Sequence, residues 1–101
     1  MKLFMIEREV QGASELTHEQ LAEISRTSNA AVESLGVQYN WVRSYVAGDK
    51  IYCLHEASDA ETIREHARRG GFSCEVVAEV VAEFGPHTAT ELESERAGAT
   101  A

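Results

Sequence analysis

Two stretches of alternating residues with a tight turn between them constrain the fold more than any other feature of the chain. Residues 39–46 (YNWVRSYV) and residues 50–57 (KIYCLHEA) both show the two-residue period of a β-strand. Gly48 and Asp49 provide turn residues between them. The sequence therefore predicts an antiparallel hairpin in the middle of the chain.

A helix is predicted before this hairpin. Thr17 and Gln20 have the spacing of a capping box, in which the two side chains satisfy free amides of the first turn. Apolar and small residues then recur at spacings of three and four as far as Leu35. Gly36 can end the helix in the left-handed conformation.

A shorter helix is predicted after the hairpin, over about residues 59–69. Ser58 and Glu61 have the spacing of a second capping box. Gly70 and Gly71 are expected to end this helix, and the arginines just before them suit its C-terminal dipole.

An apolar segment near each end of the chain completes the pattern. Residues 3–10 and residues 75–84 are apolar enough for strands. The resulting order is βαββαβ, which predicts an α+β fold of the ferredoxin-like type, with a four-stranded antiparallel sheet and both helices on one face. We expect this domain to occupy residues 1–85 and residues 86–101 to form a polar tail with little order.

Composition excludes several classes of partner. A chain of 101 residues can bury one modest core, and its formal charge of −8 repels nucleic acid and anionic membranes. It has no apolar run long enough for a membrane span and no secretory signal pattern, which predicts a cytoplasmic protein. Cys53 and Cys74 form no CxxC motif and are expected to be free thiols.

Alternation assigns the strand residues to two faces. The face under the helices is predicted to carry smaller apolar side chains: Phe4, Ile6, Val42, Val46, Ile51, Cys53, Val76, Ala78 and Val80. The opposite, open face is predicted to carry Met5, Glu7, Trp41, Arg43, Tyr45, Tyr52, Leu54, Glu56, Val77, Glu79 and Val81.

This open face is too apolar to remain exposed. Its three aromatic residues alone would bury roughly 450 to 750 Å², against about 300 to 600 Å² for the largest exposed patch of a typical monomer. A second copy of the chain is the simplest cover, so the sequence predicts a homodimer like a dimeric α+β barrel. The alternative is that the C-terminal tail folds over the sheet, with Leu92 as its anchor.

Five residues predicted on the open face could line a small-molecule cavity. They are Trp41, Arg43, Tyr45, Tyr52 and Glu79. An apolar pocket with a few convergent polar groups can hold a small ligand, although the charged members can also simply pair with one another. This second hypothesis, a cofactor-independent enzyme or small-molecule-binding protein, depends on fold analogy and fixes no catalytic residue.

Candidate metal ligands lie on the second half of the chain. Cys53 and His55 are two apart in one strand and so share a face, and His66 lies seven residues into the following helix. Seven residues of helix span about 10 Å, which is also the length of about three residues of strand. Counted back from the connection between the strand and the helix, His66 is therefore expected to lie level with Cys53. These residue types suit nickel, copper or zinc, and a Cys–His pair can activate a thiolate. Each residue can also be ordinary packing.

Several segments together resemble a known family. They are FMIERE, WVRSYV, DKIYCLHEA and REHARRGGF followed by EV, over residues 2 to about 84. They resemble small ferredoxin-like proteins long known only as a domain of unknown function, whose characterised branch is nickel-binding and nickel-responsive. The resemblance implies a homodimer and nickel binding through histidines, with His66 matching the helix histidine. That branch has further histidines where this chain has Glu7, Arg8 and Glu9, a change that makes a site less suited to nickel.

The leading hypothesis is thus a homodimeric, non-catalytic protein that binds a divalent metal, nickel by resemblance. His66 is the predicted ligand, with His55 or Glu7 as helpers.

Overall fold

The sheet and two of its helices follow the predicted order. The computed structural model describes the backbone of residues 1–100 and the side chains of residues 1–97. Its elements are β1 (Lys2–Glu9), a 3-10 turn (Ala13–Glu15), α1 (His18–Leu35), β2 (Asn40–Ala47), β3 (Lys50–Ala57), α2 (Ala60–Gly70), β4 (Val76–Glu79) and α3 (Pro86–Thr100). The elements from β1 to β4 form the βαββαβ pattern of an α+β fold.

The four strands form one antiparallel sheet in the order β2-β3-β1-β4. Ile6 of β1 lies opposite Cys53 of β3 on one side and Val77 of β4 on the other. The buried core cluster lies on the face covered by α1 and α2, here called the helix-side face, and consists of Phe4, Ile6, Ala13, Ile51, Cys53, Ala57 and Ile63. None of these described core residues comes from α1, so this helix lies less tightly on the sheet than α2.

Local capping determines where the helices begin and end. The Thr17 hydroxyl accepts from the Gln20 amide at 3.1 Å, and the Gln20 side chain accepts from the Thr17 amide at 2.9 Å, which confirms the first capping box. Gly36 has a φ of 67° and ends α1 as predicted. At α2 the cap differs: Asp59, and not Ser58, accepts from the Thr62 amide at 2.8 Å.

Alternation assigned β1 and β3 correctly but reversed β4. Phe4 and Ile6 are buried on the helix-side face, as are Ile51 and Cys53. In β4, however, Val77 lies opposite Ile6 and packs on the core, whereas Val76 and Ala78 lie on the open face. The run VVAEVV has apolar residues in both phases, so its own pattern cannot decide which face is inside.

A β-bulge changes the other edge strand. The pairing of β2 with β3 shifts register between Trp41 and Arg43, leaving Val42 without a partner. Trp41 therefore lies opposite His55 on the helix-side face, whereas Tyr45 lies opposite Tyr52 on the open face.

The C-terminal segment contains a helix where the sequence predicted little order. Residues Pro86–Thr100 form α3, which contains three Ala and three Glu, both strong helix formers. The segment was predicted to extend to Ala101, which lies outside the described residues. None of the helices described is both long and apolar enough to cross a membrane.

Candidate functional site

The two histidines singled out by the sequence meet in the interior. His55 reaches the helix-side face from β3, and His66 reaches the same place from α2, so that their ring centroids lie 5.1 Å apart. His55 is 1% exposed and His66 is 0% exposed. The ring of His66 also stacks on Tyr39 and Phe72, with centroid distances of 5.0 and 5.8 Å.

Among the described side chains, one buried ring nitrogen of the histidine pair has no hydrogen-bond partner. The Tyr39 hydroxyl and His55 Nδ1 lie 2.5 Å apart. His66 Nε2 lies 3.4 Å from the Ser28 carbonyl oxygen and 3.1 Å from its hydroxyl. Because a carbonyl can only accept, we assign the proton to Nε2. Among the described side chains, His66 Nδ1 is the buried polar atom with no hydrogen-bond partner, and it then carries a free lone pair.

Burial keeps both imidazoles neutral. Burial first, and then the nearby His66 and Arg8, lower the pKa of His55 to about 3. Burial also lowers the pKa of His66, although its bond to the Ser28 backbone acts in the opposite direction. A neutral imidazole offers a lone pair to a metal or a hydrogen-bond donor without first losing a proton.

A buried arginine lies beside the histidines. Arg8 continues the inward alternation of Phe4 and Ile6 and is only 5% exposed. Its guanidinium carbon lies 5.3 Å from the centroid of the Phe72 ring, and its Nη1 donates to the Ser73 carbonyl at 2.5 Å. Within the described part of the chain it forms no ion pair.

A cavity of about 530 Å³ lies between α1 and the helix-side face of the sheet. Its polar lining comes from Arg8, Glu9, Ser25, Ser28, Trp41, Ser44, Cys53, His55 and Ser73. Apolar lining comes from Val10, Leu21, Ile24, Val46, Ile51 and Phe72. The volume falls within the usual range for small-molecule pockets, about 300 to 1,000 Å³.

Two predicted members of the metal site lie away from the histidine pair. Glu7 lies on the open face opposite Tyr52 and forms an ion pair with Lys50, so the sheet separates it from His66. Within one chain, Glu7 and His66 therefore do not converge on one metal site. Cys53 shares the helix-side face with His55 as predicted, but its sulfur accepts from the Ser44 hydroxyl at 3.0 Å, and the strand residue that contacts His66 is His55.

The five residues predicted to line a cavity on the open face do not converge. Arg43, Tyr45 and Tyr52 lie there, at adjacent positions of β2 and β3. Trp41 lies on the other face because of the bulge. Glu79 lies opposite Phe4 on the helix-side face and pairs with Lys2 at 3.7 Å. Since β2 and β4 are opposite edges of the sheet, Arg43 and Glu79 are separated by about 14 Å or more.

Sequence reasoning missed the residues that surround the histidines. Arg8 follows Phe4 and Ile6 at a spacing of two residues in β1, so alternation alone was enough to place it on the helix-side face. Tyr39 and Phe72 lie outside regular elements, and Ser28 is one small residue among several on α1. No local signal links these three to His66.

Comparisons with known proteins agree with this architecture. The model of a family described as nickel responsive protein SCO4226-like matches residues 4–80. The crystal structure of SCO4226 from Streptomyces coelicolor A3(2) has a TM-score of 0.67 and 23% sequence identity to this chain, covering 81% of this chain and 99% of that chain. A search of curated proteins found no match.

The fold and its site thus define a small α+β protein with a ferredoxin-like sheet and a buried histidine pair. The chain belongs to the SCO4226-like family of nickel responsive proteins, which confirms the predicted resemblance.

Proposed function

We propose that the protein binds a divalent transition metal, nickel by its family, and that His66 is the principal ligand. The observation that carries this proposal is the buried, unpartnered Nδ1 of His66. A buried donor or acceptor without a partner costs about 1 to 3 kcal/mol. A lone pair held in that state is ready for a ligand.

The surroundings of His66 have the features of a metal ligand. Metal-binding histidines usually donate their other N–H to a carbonyl or carboxylate, which fixes the tautomer. His66 Nε2 lies in this position relative to Ser28. His55, in edge contact with His66, is the nearest candidate for a second imidazole ligand, and imidazole nitrogen suits nickel.

The number of donors is smaller than a complete site requires. The described residues contain no group of three or more His, Cys, Asp or Glu side chains that could hold a metal. The histidine pair fits nickel in the type of its donors, and the remaining positions would be filled by water or by groups from outside the chain. Binding of this kind supports sensing or carriage, and we propose a non-catalytic role.

Calorimetric titration of nickel tests the proposal. We expect binding to the wild type, a loss of affinity of at least about tenfold in His66→Gln, and a smaller loss in His55→Gln. Mutation of a residue that only orients a ligand typically costs about 10- to 100-fold in metal affinity, and loss of the principal ligand should cost no less. Glu7→Gln is the matched control and should bind like the wild type, since Glu7 lies on the opposite face. Equal heats in wild type and His66→Gln, or none in either, would contradict the proposal.

We also propose that the protein is a homodimer joined through its open faces. Met5, Tyr45 and Val76 on this face are 39%, 54% and 42% exposed, and Leu54 and Tyr52 lie between them. Helix α3 therefore leaves these three side chains accessible. An apolar face of this kind favours a self-complementary contact about a two-fold axis.

A cytoplasmic location, where Cys53 and Cys74 stay reduced, is part of the same proposal.

A further inference from the structure

We propose that the cavity between α1 and the sheet binds a small organic carboxylate with an apolar body, and that Arg8 is the residue that recognises its carboxylate group. This function goes beyond metal binding and needs no metal. It depends on three observations: a buried arginine that forms no ion pair with the described residues, a cavity that this arginine lines, and an apolar wall in the same cavity.

Arg8 is a buried charge that forms no ion pair with the described residues of its chain. An arginine keeps its positive charge in proteins, and burying a charge without an anion is costly. Its described contacts are one hydrogen bond to the Ser73 carbonyl and the face of Phe72. The guanidinium has further N–H donors in a planar fork that matches a carboxylate.

Nearby carboxylates of the chain do not fill this role. The Oε2 atom of Glu75 accepts a hydrogen bond from the Glu9 amide, and this bond is the main cause that lowers the pKa of Glu75. The charge of Arg8 is the smallest of the causes that lower this pKa. Glu9 is the acidic residue in the described cavity lining, and it is exposed and points to the open face by strand alternation. An anion that lies against Arg8 must therefore come from outside.

The cavity around Arg8 suits an organic ligand that carries an anionic group. Apart from the exposed Glu9, the other polar groups lining the cavity are hydroxyls, the Cys53 thiol, the imidazole of His55 and the indole of Trp41. The Trp41 indole N–H donates to the Ser44 hydroxyl at 2.9 Å. Leu21, Ile24 and Phe72 form an apolar wall. This combination suits an aromatic or aliphatic acid.

The experiment compares two probes that differ in charge but hardly in shape. Phenylacetate and phenylacetamide are titrated into metal-free protein in the presence of a chelator, so that coordination to a metal is excluded. The readout is the fluorescence of Trp41, which is the only tryptophan of the chain and lines the cavity. We expect phenylacetate to bind at least about tenfold more tightly than the amide, because hydrogen bonds to charged groups are the stronger ones.

Substitutions test whether Arg8 causes the preference for the acid over the amide. Arg8→Gln should remove the difference between acid and amide, and Arg8→Lys should retain part of it. Ser25→Phe should block both probes by filling the cavity from α1. Arg64→Gln, which removes an exposed arginine of α2, is the matched control and should bind like the wild type.

Each outcome decides the proposal. Equal affinity for acid and amide, no binding of either probe, or an unchanged preference in folded Arg8→Gln would overturn it. If Arg8→Gln does not fold, a preference for the acid in the wild type that is lost in Ser25→Phe supports the proposal, and its retention in Ser25→Phe contradicts it. Nickel binding is measured separately, so the two proposals can fail independently.

Discussion

His55 couples the stability of the protein to pH. Its pKa is about 3 in the folded chain, against an ordinary value of 6.5, so the unfolded chain takes up the proton at a higher pH. The stabilisation from the neutral ring is therefore complete above about pH 6.5 and is lost as the pH falls toward 3. Between about pH 6 and 4, we expect the unfolding free energy of metal-free wild type to fall by up to about 1.4 kcal/mol per pH unit more than that of His55→Gln.

Urea unfolding at a series of pH values measures this difference. His18→Gln is the control, because His18 is exposed at the start of α1 and should leave the pH dependence as in the wild type. Parallel curves for wild type and His55→Gln would show that His55 is not held neutral by the fold.

The hydroxyl of Tyr39 is expected to stabilise the histidine pair. Tyr39→Phe leaves His55 Nδ1 buried without its partner, which should lower the unfolding free energy by about 1 to 3 kcal/mol. Tyr45→Phe makes the same chemical change on the open face and should alter it by less than about 0.5 kcal/mol. Equal effects of the two substitutions in chemical denaturation would refute the role of this bond.

At the scale of elements, the residue that caps the start of α2 differs between the sequence prediction and the structure. Asp59 accepts from both the amide and the hydroxyl of Thr62, at 2.8 Å each. We expect Asp59→Ala to destabilise the protein by about 1 kcal/mol and Ser58→Ala to have little effect. Thermal or urea unfolding of the two variants measures this, and a larger loss in Ser58→Ala would restore the cap predicted from Ser58 and Glu61.

The edge strands β2 and β4 show where the two-residue period fails to predict the face on which a side chain lies. The hairpin turn and the inward residues Ile51 and Cys53 of β3 were predicted, because the two-residue period places the smaller apolar side chains of this strand in one phase. In β4 both phases are apolar, and pairing with β1 decided that Val77 is inside. In β2 the bulge moved Trp41 inward, and a register shift of this kind has no reliable local signal.

For the molecule as a whole, the open face predicts an assembly. We expect the wild type to sediment at micromolar concentration with twice the 11.1 kDa mass of one chain. Met5→Lys should shift this equilibrium toward the single chain, because it places a charge in the centre of the apolar face. Thr27→Lys, on an exposed position of α1, is the control and should remain dimeric. A wild type that sediments as one chain would exclude the dimer.

The sequence by itself determined the elements from β1 to β4, their order and the two caps of α1, because capping boxes and alternation act within a few residues of one another. It also indicated that Cys53 and His55 share a face. Only the tertiary structure decided that His66 contacts His55 and that the inward Arg8 lines a cavity between α1 and the sheet. These relations depend on how α1 and α2 pack on the sheet, and packing between distant segments leaves no periodic mark in the sequence.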